Sequence, residues 1–541
     1  MGFSMKLSNI AHEFLQERPQ RMQINKELKR MAKEVARNAH EEDDQKTIVS
    51  FNASTRITGL SVNAAFAMLT GWSLQLQGAR VVHFVCKRGM PRCVLGTDQD
   101  DVYQLPPCQK CLTQTSTIYH KSEVSWLDYY PSEDLAKLLQ NTSVPTLKNF
   151  VFETIPLGQL CLPSMRWRLR LHHLEDNEDT RILYRYFILS AYKVARQFDL
   201  LLKELNPDAV MVFNGMQFPE ATAKWVAGLH DIPVYSYEAG IRPFSAFFTE
   251  GEATAYPVNI PSDFALKPEQ NRQLDEYLSK RFEGNFSMAG VQFWPEMSGL
   301  DDVFLDKINN FKQVVPIFTN VIFDTSQPHA NVIYPHMFDW LDEILETAKG
   351  HPDTLFVIRA HPDEIRPGKA SRESVAGWVR DRDAESLPNL VFINSDQYFS
   401  SYEMIQRAKF VMIYNSTIGM EASIMGKPVL CAGRARFTQL DTVYFPQSRT
   451  EYLAQLEEFL ELDEVPVLTK HKENARRFLY FQLYHTSLPF DRFIEPDKIW
   501  PGFVRLKDFH WQDLLPENSE TLKVISEGLL EGKEFLLPLS Q

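Results

Sequence analysis

The 541-residue sequence has no apolar run near the length of about 18 residues that a membrane-spanning helix needs. Its N-terminus also lacks the apolar core of a secretion signal. Met1 and Gly2 begin like a myristoylation site, but Lys6 does not fit that motif. These absences predict a cytoplasmic protein, and they leave open a peripheral position at the inner membrane face.

Positive charge is also scarce. Lys and Arg number 57 against 70 Asp and Glu, so the formal net charge is −13. Nucleic acid favours a basic protein face, so we expect no nucleic-acid partner. The stretch from Gln23 to Ala39 is basic, and its apolar residues recur at near-helical spacing. This pattern predicts an amphipathic helix packed on its own domain, with peripheral contact to an anionic membrane as the alternative.

Cysteine is scarce too, with six residues in the chain. Without a secretion signal, these should be reduced thiols or metal ligands. Four of them fall within 26 residues, and they are Cys86, Cys93, Cys108 and Cys111. The two-residue spacing of the last pair suits zinc, whereas the first pair is more widely spaced than in zinc knuckles. We therefore predict a structural zinc site at these four residues, with buried thiols or a redox pair as alternatives.

Buried-type strands alternate with amphipathic helices along the chain, and 44% of the residues are hydrophobic. This pattern predicts an α/β fold with parallel sheets covered on both faces. We predict two Rossmann-like, doubly wound domains that face each other across a cleft. The first spans residues 46–310, after a helical segment at 1–45, and contains the cysteine cluster. The second spans 311–470, and a tail at 471–541 packs back on the first domain.

The segment 410–432 holds the clearest functional pattern, in which a buried strand is followed by a polar turn, a short helix and another strand. The turn is Asn415, Ser416 and Thr417, and such a turn before a helix can bind phosphate. Glu421 follows four residues later on the same helix face, about 6 Å along the axis. That distance resembles the separation of a nucleotide phosphate from its ribose hydroxyls. We predict a sugar-nucleotide site here, although the hydroxyls could instead be ordinary helix caps.

Other polar residues follow predicted strands of the same domain. In open parallel sheets, ligands bind beyond the carboxyl ends of the strands. Arg359 and His361 stand at the end of one strand, where an imidazole can donate to a phosphate and a guanidinium can add charge. A capping role in the next helix is the alternative for His361. Asn320 follows another strand, and it either lines the same cleft or forms a simple turn.

In the first domain, Glu238 stands at a strand end, followed two residues later by Gly240. A carboxylate in this position can serve as the general base toward an acceptor hydroxyl, or it can form a salt bridge with Arg242. Asn214 and Arg56 follow two other strands. We predict that both contact the acceptor.

Three motifs resemble those of GT-B glycosyltransferases of the capsule polysaccharide biosynthesis type, which include Kdo and polysialic acid transferases. The motifs are Arg359-Ala360-His361-Pro362, Asn415-Ser416-Thr417-Ile418-Gly419-Met420-Glu421-Ala422 and Gly426-Lys427-Pro428-Val429. The resemblance covers about residues 310–465. In the first half, Glu238-Ala239-Gly240 is similar to the acidic motif that supplies the base, but it has one carboxylate followed by Ala.

The resemblance implies that His361, Ser416 and Thr417 hold the phosphate of a CMP-sugar, and that Glu238 and His361 are catalytic. With these residues, Arg359, Asn415, Glu421 and Asn320 complete the donor site that we predict. It also implies a nucleotide-sugar donor, a glycan or glycolipid acceptor, and no cofactor or metal required for transfer. Two alternatives stay open: a sugar-nucleotide epimerase of the same architecture, and a non-catalytic scaffold of an envelope-assembly complex.

Overall fold

The structure is a computed structural model, and it describes residues 18–40, 45–53, 57–282, 297–498 and 502–538. Arg56, which was predicted to contact the acceptor, lies outside these ranges. The α-helices are α1 Arg18–Asn38, α2 Val62–Leu76, α3 Cys108–Ile118, α4 Glu133–Leu138, α5 Val144–Lys148, α6 Leu157–Leu169, α7 Glu178–Leu205, α8 Glu220–Gly228, α9 Pro268–Phe282, α10 Asp302–Asn309, α11 Gln327–Ala330, α12 Met337–Gly350, α13 Val375–Asp381, α14 Ser401–Arg407, α15 Ile418–Ile424, α16 Arg449–Glu461, α17 Thr469–Tyr484 and α18 Glu520–Glu531.

The strands are β1 Thr47–Phe51, β2 Leu60–Ser61, β3 Arg80–Lys87, β4 Glu123–Asp128, β5 Ala209–Phe213, β6 Val234–Ala239, β7 Ser245–Glu250, β8 Gln313–Phe318, β9 Thr354–Arg359, β10 Leu390–Ile393, β11 Val411–Ile413, β12 Val429–Cys431, β13 Leu488–Pro489, β14 Ile494–Pro496 and β15 Phe503–Leu506. Short 3-10 helices lie at Ala253–Ala255, Pro362–Ile365, Ala384–Ser386, Arg436–Gln439 and Trp511–Leu514.

The first sheet has the order β13-β7-β6-β5-β1-β3-β4. The strands from β6 to β4 are parallel, and β7 and β13 pair antiparallel at one edge. The parallel strands therefore follow the Rossmann order, in which the chain moves outward from β1 in one direction and then returns to the other side. The point where the order reverses lies between β1 and β5.

The second sheet has the order β10-β9-β8-β11-β12, and all of its strands are parallel. It repeats the Rossmann order, with its reversal point between β8 and β11. Every residue of β9 is buried, as expected for a strand covered by helices on both faces. The fold is thus α/β with two Rossmann-like domains, which is the GT-B-like arrangement that the pattern of strands and helices predicted.

Helix α15 packs closely against β11, and Gly419 allows this approach. A Cβ atom at Gly419 would lie 2.3 Å from Cδ1 of Ile413. A side chain at this position would push the helix away from the sheet. The glycine therefore holds the turn before α15 close to the carboxyl end of β11.

The C-terminal residues return to the first domain. Strand β13 pairs with β7 of the first sheet, and β15 pairs with β2 beside β14. Helix α18 packs against α2, whereas α17 packs against α15 of the second domain. The tail thus spans both domains before it ends on the first. Among the helices of the described ranges, none combines the length and the apolar character needed to cross a membrane.

Candidate functional site

A cavity of about 340 Å³ lies between the carboxyl ends of the second sheet and the first domain. Thr254 and Ala255 contribute from the first domain, and residues after β8, β9, β11 and β12 form most of the other walls. The residues predicted to bind the donor line this cavity together, and they are Asn320, Arg359, His361, Asn415, Ser416, Thr417 and Glu421. The cavity includes the ends of β8 and β11, where a sheet with this strand order binds ligands.

His361 follows β9, and its backbone neighbours fix the orientation of its ring. The backbone N–H of Asp363 donates to Nδ1 at 3.1 Å, so the histidine also caps the short helix that begins at Pro362. Burial lowers the pKa of His361, although the carboxylates of Asp363 and Asp324 oppose this shift. A neutral imidazole that accepts at Nδ1 carries its proton on Nε2. Within the described residues Nε2 has no partner, so this N–H is available to a ligand.

Ser416 and Thr417 offer two hydroxyls at the start of α15. Thr417 occupies the N-cap position, but its side chain makes no capping hydrogen bond. Neither hydroxyl bonds to another side chain or backbone group in the described part of the chain. The ordinary capping role is therefore not seen, and both hydroxyls remain available. Because α15 has only seven residues, its dipole adds little, contrary to the expectation from the sequence.

Asn415 and Asn320 form a side-chain network that joins the loops after β8 and β11. Oδ1 of Asn415 accepts from Nδ2 of Asn320 at 2.8 Å and from Nε2 of Gln327 at 3.3 Å. Its Nδ2 donates to Oγ of Ser326 at 3.1 Å, and that hydroxyl donates to Asp324 at 2.5 Å. The two amides thus use most of their hydrogen-bonding capacity within the protein. They hold the cavity wall in place more than they offer groups to a ligand.

Glu421 is 2% exposed and forms an ion pair that the sequence did not predict. Nε and Nη2 of Arg281, on α9, lie 2.8 Å and 2.6 Å from its Oε1. The hydroxyl of Tyr402 donates to Oε2 at 2.5 Å. Burial lowers the pKa of Arg281, but Glu421, Tyr277 and Tyr402 together outweigh burial, and the net shift is upward. The Glu421 carboxylate was predicted to accept from a ribose. For this it has only the lone pairs that Arg281 and Tyr402 leave unused.

Arg359 lies at the end of β9 and is 3% exposed. Its Nη1 donates to the backbone carbonyl of Gln397. Its Nη2 is buried without a hydrogen-bond partner among the described residues. Burial lowers the pKa of Arg359 to about 10, so the guanidinium stays charged at neutral pH. One nitrogen of a buried cation is thus left for a group in the cavity.

Glu238 stands at the end of β6, close to the cavity but outside its lining. Nδ2 of Asn214 donates to its Oε2 at 2.9 Å, and the N–H of Ala239 donates to Oε1 at 2.9 Å. Burial raises the pKa of Glu238, although these two hydrogen bonds oppose the shift. Asp324 and Arg436 both line the cavity, and their charges also reach this carboxyl. Asp324 raises its pKa and Arg436 lowers it.

Asn214 does not have the role that the sequence suggested. It is 3% exposed, and its backbone has a φ of 67°, in the left-handed region that Asn tolerates. Its Oδ1 accepts from the N–H groups of Met216 and Gln217 at 3.1 and 3.3 Å, while its Nδ2 holds Glu238. Both the oxygen and the nitrogen of this amide are hydrogen-bonded within the protein, so the side chain is not available to an acceptor substrate. It positions the carboxylate of Glu238 instead.

The structure adds a histidine that the sequence did not point to. His329 lines the cavity, and its Nε2 lies 3.0 Å from Oγ1 of Thr254 and 3.5 Å from Oε2 of Glu252. Burial lowers the pKa of His329, with Glu252 acting in the opposite direction. No described residue bonds to its Nδ1, which leaves this atom for a ligand. His329 lies in α11 rather than directly after a strand, so the rule that ligands bind at strand ends does not find it.

Arg434 also lines the cavity, and no described residue pairs with its guanidinium. It follows β12, near the end of the strand, together with Arg436. The sequence showed both arginines but could not distinguish a cavity position from a solvent-exposed one. Arg436 stacks on the ring of Tyr256 at 4.0 Å, so part of its surface is used within the protein.

The four clustered cysteines line a second, small cavity of about 30 Å³, and they are Cys86, Cys93, Cys108 and Cys111. Burial raises the pKa of Cys93 to about 12. Within the described ranges, no group of three or more His, Cys, Asp or Glu side chains is arranged to hold a metal ion. The four cysteines thus share one cavity, but the described residues form no coordination site there. Structural zinc therefore stays a prediction that this geometry does not support.

Known proteins resemble parts of this chain. Protein FixF of Sinorhizobium fredii is 29% identical over 107 residues, which cover 20% of this chain and 23% of that protein. The chain thus matches about a quarter of the length of this curated relative. Among solved structures, the KpsC β-Kdo 2,4 transferase of Thermosulfurimonas dismutans is similar with 14% identity and a TM-score of 0.34. That similarity covers 52% of this chain and 81% of the other.

A putative UDP-N-acetylglucosamine 2-epimerase from Listeria monocytogenes is similar with 12% identity and a TM-score of 0.25, over 81% of this chain and 96% of that chain. Because both TM-scores are low, the fold follows from the strand orders of this protein and not from these similarities. Residues 291–440 match the model of the capsule polysaccharide biosynthesis protein family. That range contains His361 and the Ser416-Thr417 turn, two of the features that carried the resemblance in the sequence. The segment that forms most of the cavity thus matches the model of that family, as its motifs predicted.

Proposed function

We propose that the protein is a glycosyltransferase that moves a sugar from a nucleotide-sugar donor, with CMP-sugars favoured, to a surface polysaccharide, glycan or glycolipid. One observation carries this proposal: the imidazole of His361 and the hydroxyls of Ser416 and Thr417 line the same cavity with unused donors. Three neutral donors around one space suit a phosphate. They can bind it before the reaction and hold its added charge afterwards.

The phosphate is the leaving group when the bond between the anomeric carbon and the phosphate oxygen breaks. Negative charge then develops on the phosphate while the sugar gains oxocarbenium character. Fixed donors aimed at developing charge are usually the largest catalytic contribution, and Nε2–H of His361 is fixed by Asp363. Nη2 of Arg359, buried without a partner among the described residues, would add a charged donor to the same phosphate.

The acceptor hydroxyl must lose its proton as it attacks. Glu238 is the base that the sequence suggests, and its raised pKa strengthens it as a proton acceptor. His329 is the second candidate, because Glu252 and Thr254 hold its Nε2 and leave Nδ1 as the basic atom. Glu238 lies outside the cavity lining and His329 lies within it, so the two candidates differ in how close a substrate can approach.

The first test is a thermal-shift screen of the protein with CMP-, UDP-, GDP- and dTDP-sugars. A ligand that binds only the folded state raises the melting temperature, and a tighter ligand at the same concentration raises it further. We expect one class to raise it, and the same compound to have a much smaller effect on the His361→Ala variant. Absence of a shift in all four classes would contradict the proposal.

A sugar-nucleotide epimerase is the second candidate function. That reaction needs acid–base groups around the sugar, and two imidazoles, His329 and His361, line the cavity. Incubation with the donor alone separates the two functions, because an epimerase converts it to an isomer that proton NMR detects. A transferase instead leaves the donor unchanged until an acceptor is added, apart from slow transfer of the sugar to water. Turnover of either kind would exclude a purely structural scaffold.

A further inference from the structure

Helix α1 carries an unusual concentration of positive charge in an acidic protein. Its 21 residues, Arg18–Asn38, include seven basic and two acidic side chains, a net charge of +5. The chain as a whole carries −13, so the remainder carries −18. Charge of this sign on one helix is a local feature that the overall composition hides.

Five of the seven basic residues of α1 lie on one side of the helix. At about 100° per residue, the five between positions 26 and 37 fall within an arc of about 100°. All five side chains are exposed, and they are Lys26, Lys29, Arg30, Lys33 and Arg37. One of them is partly compensated, because Arg30 pairs with Glu34 at 3.0 Å. We call these five residues the basic face.

The opposite side of α1 is fixed to the protein. Leu28, Met31, Ala32 and Val35 are at most 2% exposed and belong to the core of the first domain. On the helical wheel their mean direction lies almost opposite the centre of the basic face. The packing against α2 and α3 therefore holds the basic face outward on a rigid support.

Two neighbours extend the basic face. Met22 lies within the same arc, near the start of α1, and is 66% exposed. Lys121, in the loop after α3, is exposed, and its charge acts on His120 together with those of Lys29 and Lys33. The surface therefore combines six cations, one of them partly compensated, with the exposed thioether of Met22. Cations beside an exposed apolar side chain are typical of protein surfaces that lie on anionic lipid.

We propose that the basic face of α1 docks the protein on an anionic lipid bilayer. The partner is a bilayer rather than nucleic acid, because the face carries no exposed aromatic side chain for base stacking and includes Met22 for the lipid boundary. The net charge of −18 elsewhere repels the same bilayer, so the protein binds in one orientation. This inference does not depend on the reaction that the cavity performs.

Sedimentation with lipid vesicles tests the proposal on the full chain. We expect binding to vesicles that contain roughly one third phosphatidylglycerol in phosphatidylcholine, and no binding to pure phosphatidylcholine. Binding should fall when the salt concentration is raised from about 0.1 M to about 0.5 M, because the screening length shortens. Failure of the protein to bind anionic vesicles at the lower salt would overturn the proposal.

A charge-reversal pair sharpens the test. Each basic residue near an anionic surface changes the partition constant roughly fivefold, so Lys26→Glu/Lys29→Glu/Lys33→Glu should weaken binding by more than about tenfold. The matched control is Lys137→Glu/Lys280→Glu/Lys472→Glu, three exposed lysines elsewhere, which should stay within about twofold of the unaltered protein. Equal losses in both variants would overturn the proposal, as would binding of single-stranded RNA in place of vesicles. Thermal melting confirms that both variants are folded.

Discussion

The backbone N–H of Asp363 lies 3.1 Å from Nδ1 of His361 and donates to it, which places the ring proton on Nε2. A mobile loop histidine would exchange tautomers, whereas this one presents a fixed donor to the cavity. Removing it should cost a hydrogen bond to a charged group, worth about 1.5–3 kcal/mol. We expect His361→Ala to weaken nucleotide-sugar binding by roughly tenfold to 100-fold in calorimetric titration.

His361→Gln is the matched variant, because its amide can donate to the same phosphate. It should retain more affinity than His361→Ala. Equal affinity of the alanine variant and the unaltered protein would show that the imidazole does not contact the donor.

The hydroxyls of Ser416 and Thr417 should affect binding without affecting stability. Loss of a capping hydroxyl usually costs about 1 kcal/mol, but the Thr417 side chain caps nothing in this structure. The Ser416→Ala/Thr417→Val variant should therefore melt within about 2 °C of the unaltered protein while losing donor affinity. A clear loss of melting temperature with unchanged affinity would assign the hydroxyls to the fold.

The ion pair between Glu421 and Arg281, by contrast, should contribute to stability. Breaking a buried pair leaves one charge without compensation and costs about 3–5 kcal/mol. We expect Arg281→Met to lower the melting temperature by several degrees. Replacing both partners, as Arg281→Met/Glu421→Leu, should recover part of that loss because no unpaired charge remains. If the double variant is no more stable than Arg281→Met, the pair is not what holds α9 against α15.

The pH dependence of turnover can identify the base. A base acts only when deprotonated, so turnover should rise as pH increases through its pKa and then level off. Glu238→Gln and His329→Gln each remove one candidate, and Asn214 would still hold the amide in the first variant. The variant that abolishes the rising limb, while binding of the donor remains, identifies the base. If both variants turn over at the original rate, neither group is the base.

Glu364 gives a stability prediction in the loop that follows His361. Its carboxyl is 3% exposed and accepts from the N–H of Val375 at 3.0 Å, and burial raises its pKa to about 7. The folded state therefore holds a proton that the unfolded state has released between pH 4.5 and 7. This contribution to stability is fully present below pH 4.5 and is lost as pH rises through 7.

The Glu364→Gln variant should therefore be more stable than the unaltered protein at pH 8, by about 1–3 kcal/mol, and similar to it at pH 5. Melting curves across this range measure the difference. A constant difference at all pH values would show that this carboxyl does not titrate differently on folding.

The sequence was most informative where function depends on a strand end. His361 and the Ser416-Thr417 turn directly follow buried strands, and parallel strands end at one edge of a sheet. The apolar runs of β9 and β11 were therefore enough to predict that both groups lie on one side of the second domain. The same logic placed Glu238 at the facing edge of the first sheet.

Sequence reasoning failed where a residue depends on partners far along the chain. Arg281 meets Glu421 across 140 positions, so nothing near Glu421 indicated that its carboxylate would be used. Asn214 looked like a free amide because its three hydrogen bonds depend on a left-handed backbone turn. His329 was missed because it lies in α11 rather than directly after a strand, and because its carboxylate neighbour, Glu252, comes from the other domain.

A double-mutant cycle in nucleotide binding tests the central claim most directly. The nucleotide that stabilises the protein among CMP, UDP, GDP and dTDP is titrated into the unaltered protein, His361→Ala, Ser416→Ala/Thr417→Val, and the three changes combined. If the imidazole and the hydroxyls hold one phosphate, their effects should be coupled by more than about 0.5 kcal/mol. Effects that simply add, or binding that none of the changes weakens, would contradict the account.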